Sequence, residues 1–290
     1  YIREDGPQNH HSKRGTPTMG GIAILAGVLI ASIAYIAREN VFSVPAFLAI
    51  ILIFGFSVLG FYDDYQKVAK KTNKGASGYT KLAIQGGFSV ILLCYLVFFD
   101  SSTMLSIFGL SEINLSYFII PFGILVIIGS SNAVNLTDGL DGLAATTSVI
   151  SFSTLALFLY KTGQPDLAII SAAIAGGCLG FLRFNWNPAK IFMGDSGSLM
   201  LGGAFGALGV LGKLELWLIP IGFIFVIEAL SVILQVISFK TTGKRIFKMA
   251  PLHHHFEHYG LKEISIVTIF SFIQGVCCII AVVAGYTFLF

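Results

Sequence analysis

Charge is what this chain has little of. Only 11% of its 290 residues are Asp, Glu, Lys or Arg, against about a quarter in a typical soluble domain. With 55% hydrophobic residues and a mean hydropathy of +0.83, that scarcity excludes an ordinary soluble globule and points to an integral membrane protein. Cysteine is scarce as well. Cys94, Cys178, Cys277 and Cys278 all lie inside apolar runs, and their spacing fits neither a zinc site nor a disulfide framework, so they read as small hydrophobes. No signal peptide opens the chain. It starts at Tyr1 with the polar segment YIREDGPQNHHSKRG, so the natural start, with one further span, is expected upstream.

What is abundant is apolar sequence in blocks near the length needed to cross a bilayer, about 20 residues. Nine candidate spans follow: 19–37, 44–62, 82–99, 115–134, 142–160, 166–183, 198–212, 215–239 and 264–290. The predicted fold is an all-α polytopic helical bundle forming a single membrane domain. Gly176/Gly180 and Gly202/Gly206 have the spacing that lets helix backbones approach closely. Such Gly-rich spans also leave room for a homodimer.

The sparse charges are distributed unevenly. If the spans alternate, segments 1–18, 63–81, 135–141, 184–197 and 240–263 share one side and, with Arg183, carry fifteen of the eighteen basic residues; only Arg38, Lys161 and Lys213 fall on the other. Positive charge marks the cytoplasmic side. Every dense polar motif lies there too. That one-sidedness weighs against a transporter, whose polar groups should line a path near the midplane. Glu228 is the one acid deep in a span, where a structural hydrogen bond accounts for it better than transport does.

Four motifs carry the chemistry. Asp63 and Asp64 (GFYDDYQK) stand where a span leaves the membrane, about 100° apart on a helix, so they cannot do the same job. Asp63 and Lys67 share a face at i,i+4, the geometry of a surface ion pair or of a site. Lys70, Lys71, Lys74 and Lys81 add a basic field suited to phosphates or anionic headgroups. NLTDGLDGLA places Asp138 and Asp141 beside glycines that admit a ligand close to the backbone. A cap by Asp141 on the next span would explain that acid, but not Asp138, Asn135 and Asn132. In NWNPAKIFMGDSGSL, Asp195 either caps a helix start or holds a divalent ion that in turn holds a pyrophosphate. His253, His254 and His255 follow Pro251 in a loop or helix start; without nearby cysteines they suit phosphate binding or acid–base work better than zinc.

These motifs, with GTPTMGG at 15–21, NAVNLTDGLDGLA at 132–144, FNWNPAKIFMGDSGS at 184–198 and MAPLHHHFE at 249–257, resemble those of the polyprenyl-phosphate N-acetylhexosamine-1-phosphate transferase family, in its muramoyl-pentapeptide branch. The resemblance implies ten transmembrane helices, one more than the nine counted, in a bacterial cytoplasmic membrane. It also implies Mg²⁺-dependent transfer of phospho-MurNAc-pentapeptide from UDP-MurNAc-pentapeptide to undecaprenyl phosphate, with release of UMP. Nucleic acid is not among the expected partners.

By the same resemblance, Asp195 is the metal-binding aspartate with Asn135 near the same ion, and Asp63 and Asp64 lie near the lipid phosphate. Gly139, Leu140, Asp141, Asn132 and Phe192 cradle the uridine. Lys13, Lys67, Lys81, Asp138, Gln235, His253, His254 and His255 line the site, with Asp63, Asp64, Asp195 and His253 counted as the catalytic groups. Two rivals stay open at this stage: transfer of N-acetylglucosamine-1-phosphate, which would use the same aspartates and metal, and transport of a nucleotide sugar or lipid.

Overall fold

The computed structural model describes residues 13, 15–39, 43–70, 75–100 and 103–290. The expectations for 1–12, Arg14, Lys71 and Lys74 lie outside them. Eleven helices account for nearly all of the regular structure among the described residues: α1 (Gly21–Glu39), α2 (Val44–Ala69), α3 (Gly78–Phe98), α4 (Ile119–Thr137), α5 (Leu143–Lys161), α6 (Pro165–Asn185), α7 (Asp195–Leu211), α8 (Leu218–Ile221), α9 (Phe223–Thr242), α10 (Leu252–Glu257) and α11 (Glu263–Phe288). Eight of them, α1 to α6, α9 and α11, are long and apolar enough to cross a membrane. The protein is an all-α polytopic membrane protein. An antiparallel hairpin, β1 (Met104–Ile107) and β2 (Ser111–Asn114), joins α3 to α4; no strand was expected in that connection.

Local chemistry punctuates the helices. The Ser43 hydroxyl accepts from the Ala46 N–H at the start of α2, and Ser77 accepts from Thr80 at the start of α3, each meeting one of the N–H groups a helix start leaves unpaired. Pro165 opens α6, and Gly243, with φ +69°, ends α9. Helix α2 runs seven residues past the expected end of its span at 62, which carries Asp63, Asp64 and Lys67 on a continuous rigid element.

Helix α7 has only 17 residues, and every one from Ser196 to Leu211 is buried. It is the axis of the bundle, packed along α1, α2 and α4. Its small residues explain how. A side chain at Gly60 of α2 would run into the Asp195 carbonyl, and side chains at Gly202 and Gly206 would run into the backbone of α4. The close-approach reading therefore holds for Gly202/Gly206. It fails for Gly176/Gly180, where a side chain would meet nothing within 4 Å; the glycine of α6 that packs is Gly177, against Ile24 of α1. Phe152 and Phe205 stack edge-on at 5.6 Å and Phe205 meets Phe225 at 5.8 Å, filling the layer around α7.

The apolar run 215–239 is not one helix. It breaks at Gly222 into α8 and α9. Buried Gln274 of α11 satisfies both sides of the break: its Nε2 donates to the Ile221 carbonyl at 2.6 Å, and its Oε1 accepts from the Ile224 N–H at 2.9 Å. Hydropathy carries no trace of such a break, since an apolar chain can be interrupted only where a buried side chain supplies the missing partners.

Candidate functional site

At one end of the bundle, α7 begins under the end of α2. Asp64, on α2, accepts from the Asp195 and Ser196 backbone N–H groups at 3.1 and 3.0 Å. It caps α7 from another helix, at the end where the helix dipole favours a carboxylate. The cap role considered for Asp195 thus falls to Asp64. Asp195 is free of its own helix and turns to cations: its Oδ2 pairs with Lys67 at 3.1 Å and Lys81 at 2.8 Å, and its Oδ1 accepts from Asn135 Nδ2 at 3.1 Å.

Asp63, one residue earlier, has a fully buried side chain and different neighbours. Lys67 meets its Oδ2 at 2.6 Å, Lys81 meets its Oδ1 at 2.9 Å, and the Ala76 N–H donates to Oδ1 at 2.7 Å. The two adjacent acids do separate work, as the 100° offset required. Lys67 and Lys81 each bridge Asp63 to Asp195, so two cations stand among three carboxylates. One oxygen from each of Asp63, Asp64 and Asp195 lies within 4.8 Å of the others, a grouping able to hold a metal ion. Asn135, shared between Asp195 and the Ser198 hydroxyl at 2.8 Å, would offer its side-chain oxygen to the same ion by turning its amide over.

The second part of the site is the turn between α4 and α5. Leu140 is buried in a small apolar cluster with Leu143, Ile224, Ile266, Val267 and Phe270, which anchors the turn. Asp141 does not cap α5, whose first N–H groups are met in part by Asn185 Oδ1 accepting from Gly142 N–H at 3.0 Å. Its carboxylate instead takes Lys13 at 2.7 Å, the Ala189 N–H at 2.9 Å and Asn187 Nδ2 at 3.3 Å. Asp138 is half-buried beside these groups; burial, and then the charges of Asp195, Asp64 and Asp141, push its carboxyl well above the usual range, so it keeps its proton to higher pH than an exposed aspartate. Gly139 lies against the His253 ring, which leaves no room for a side chain there.

The histidines divide as three consecutive positions of a helical turn must. His253 is fully buried: its N–H donates to Glu228 Oε1 at 3.2 Å, and its Nδ1 lies 3.2 Å from the same oxygen. Glu228 thus has the structural hydrogen bond expected of it. His254 Nδ1 lies 2.6 Å from Glu257, and His255 Nδ1 accepts from the Lys248 N–H at 3.1 Å. Gln235 holds the following loop, donating to the Phe247 carbonyl and accepting from Ile246 and Phe247 N–H. Asn132 is exposed and donates to Ile128 within its own helix. Phe192 is half-buried and bonds through its backbone to Pro17 and Gly20, tying the GTPTMGG segment to the start of α7.

Sequence reasoning missed Glu263 and Asn187. Glu263 accepts from Lys13, from the Asp141 N–H and from Asn187, inside the site. The signal available was an acid at the start of a span on the side where the other motifs gather.

A cluster of buried acids and part-buried lysines at one end of an all-helical membrane bundle is the arrangement expected of a polytopic membrane enzyme. A family model for glycosyl transferase family 4 matches residues 45–213, and a phospho-N-acetylmuramoyl-pentapeptide-transferase signature matches 13–25. The chain is 49% identical to the phospho-N-acetylmuramoyl-pentapeptide-transferase of Bacillus pumilus over 93% of its own length and 83% of the relative's. For the enzymes of that name from Bacillus subtilis and Clostridium botulinum the identities are 47% and 44%, over 93% and 98% of this chain and 83% and 86% of theirs. The chain belongs to the phospho-N-acetylmuramoyl-pentapeptide-transferase family, whose name implies a place in peptidoglycan synthesis.

Proposed function

We propose that this cluster catalyses Mg²⁺-dependent transfer of phospho-MurNAc-pentapeptide from UDP-MurNAc-pentapeptide to undecaprenyl phosphate, releasing UMP and leaving the product in the membrane. The observation that carries the reading is the pair of lysines shared between Asp63 and Asp195, with Asp64 fixing the second acid through the α7 N-terminus. The site faces the cytoplasm, where the basic segments lie.

Both substrates are anions, so bringing them together is the main electrostatic task. Lys67 and Lys81 offset that repulsion and steady charge on the departing UMP. Asp195 and Asn135 would hold Mg²⁺, which when bound neutralises the donor pyrophosphate. The lipid phosphate has a second pKa of about 6 and is already mostly a dianion near neutral pH. One of its oxygens attacks the sugar-linked phosphorus, the bond from that phosphorus to UMP breaks, and no proton must be removed first. The surroundings of Asp63 favour this direct route over a covalent enzyme intermediate, because its side chain is fully buried and its oxygens are taken by two lysines and a backbone N–H. Asp63 then positions Lys67 and Lys81. A sugar phosphate trapped on Asp63 without lipid acceptor would overturn the direct route.

The test is UMP release from UDP-MurNAc-pentapeptide by the full chain in detergent, with and without undecaprenyl phosphate and Mg²⁺. Release that requires lipid and Mg²⁺, and that drops about a thousandfold or more in Asp195→Asn, is expected for loss of a metal-holding carboxylate. Release from UDP-GlcNAc instead, or none from a well-folded protein, would overturn the reading.

A further inference from the structure

Glu263 opens α11 and belongs to none of the motifs that mark the site, yet three donors from three other segments converge on it. Its Oε1 accepts from Lys13 Nζ and from the Asp141 backbone N–H, each at 2.6 Å, and its Oε2 accepts from Asn187 Nδ2 at 2.8 Å. An acid in the first turn of a helix is commonly explained by the helix dipole. That explanation predicts a side chain turned to its own helix end or to solvent. Here the side chain is 15% exposed, and its hydrogen-bond partners among the described residues all lie outside α11.

The rest of α11 agrees with a specific docking role. Glu263, Ile266, Val267 and Phe270 are spaced i, i+3, i+4 and i+7, so they share one helix face. The last three bury Leu140, and Glu263 takes the N–H of Asp141, the next residue. One face of α11 therefore grips the turn between α4 and α5 twice, by an apolar anchor and by a charge-assisted hydrogen bond. It also holds Lys13 and Asn187, two of the three partners of the Asp141 carboxylate.

We propose that Glu263 is a positioning residue for the uridine nucleotide of the donor: it sets the backbone of the Asp138–Asp141 turn and the place of Lys13 without touching the nucleotide. This rests on the donor reading above. Charge supplies a discriminator. Lys13, Asp141 and Glu263 together carry one net negative charge, which repels a nucleotide diphosphate. If Glu263 acted only through its charge, Glu263→Gln and Glu263→Ala would both bind nucleotide more tightly. If it positions the turn, Ala weakens binding and Gln, which keeps an acceptor for the Asp141 N–H, recovers most of it.

The experiment measures UMP affinity by calorimetry and both KM values for the full chain in detergent. Glu263→Ala is expected to raise the UMP Kd and the donor KM roughly tenfold or more, as for loss of one charge-assisted hydrogen bond. Glu263→Gln should stay within about threefold of wild type by the same measure, and the KM for undecaprenyl phosphate should not change. A merely structural role would lower the active fraction and kcat while leaving the donor KM alone, and that result would overturn the proposal, as would tighter binding or an equal rise in both KM values. If the alanine variant does not fold, Asn187→Ala, which removes one of the three donors, carries the same prediction with a smaller rise. A wild-type protein that binds no UMP would overturn the donor reading itself.

Discussion

The acids of the α2–α7 cluster and the acid between α7 and α8 are buried in different settings. At the site end, Asp63, Asp64 and Asp141 are buried, and each is matched to lysines, backbone N–H groups or an amide. At the other end, Glu215, between α7 and α8, is also buried, yet its Oε2 has no partner among the described residues. Its carboxyl is pushed up to about 7 by burial, against small opposing effects of a backbone hydrogen bond and Lys213. Asp166, far in sequence from the site motifs, ties α6 to Tyr35 and the Ser43 N–H. The comparison sets acids whose burial is offset by lysines and backbone N–H groups beside one whose burial is offset only in part and raises its pKa.

The sharpest way to break that contrast is to remove a partner at the site end. Lys81→Met leaves fully buried Asp63 and mostly buried Asp195 each short of a cation. Loss of about 3 kcal/mol of stability is expected, the cost of stranding a buried charge, together with most of the activity; thermal unfolding in detergent and UMP release check both. Lys161→Met at the other end removes only an exposed lysine over the Tyr286 ring, and should cost no more than about 1 kcal/mol.

A middle-sized effect is expected at the helix break. Gln274→Leu strips the partner from the buried Ile224 N–H and leaves the Ile221 carbonyl with the weak Cys278 thiol donor at 3.6 Å, and about 2 kcal/mol of destabilisation follows from one unmet and one weakly met backbone group. Unchanged thermal stability would mean that the two ends of α8 and α9 find other partners.

The smallest effect is the most diagnostic of sign. A carboxyl whose folded pKa is raised binds its proton more tightly in the native state, so its contribution favours folding below the ordinary value of 4.5 and is lost as pH rises through about 7. Glu215→Gln removes that loss. The variant should unfold at a higher temperature than wild type at pH 8, with the gain vanishing near pH 5. A gain at both pH values would show that burial of Glu215 is costly in either charge state.

Much of this was legible in the sequence because a polar residue in so apolar a chain needs a reason. The span ends fell within a few residues of α1, α4, α5, α6 and α11, and Asp63, Asp64, Asp195, Lys67 and Lys81 do converge. Other features were hidden for physical reasons. The Gly222 break leaves hydropathy unchanged and depends on Gln274, far away in sequence. The hairpin at 104–114 turns at Phe108 and Gly109, both with positive φ, and only its glycine advertises that. Glu263 looks like a helix-end acid until Lys13, Asp141 and Asn187 are seen around it. For Leu140 and Gln235 the structure adds what the motifs do not announce: their packing and hydrogen bonds hold the turn and the loop on which they stand.

Helix α7 carries a consequence beyond the packing that explains its glycines. At about 1.5 Å per residue its 17 residues span about 25 Å, less than the roughly 30 Å of a typical hydrocarbon core. Sheathed by other helices from Ser196 onward, it has no lipid surface of its own to match. The helices around it can tilt to suit thicker or thinner membranes, while the depth of Asp195 is fixed against Asp64 and Gly60 of α2. The acid–lysine cluster is thus referenced to protein rather than to bilayer thickness, and its internal spacing should survive a change of lipid chain length.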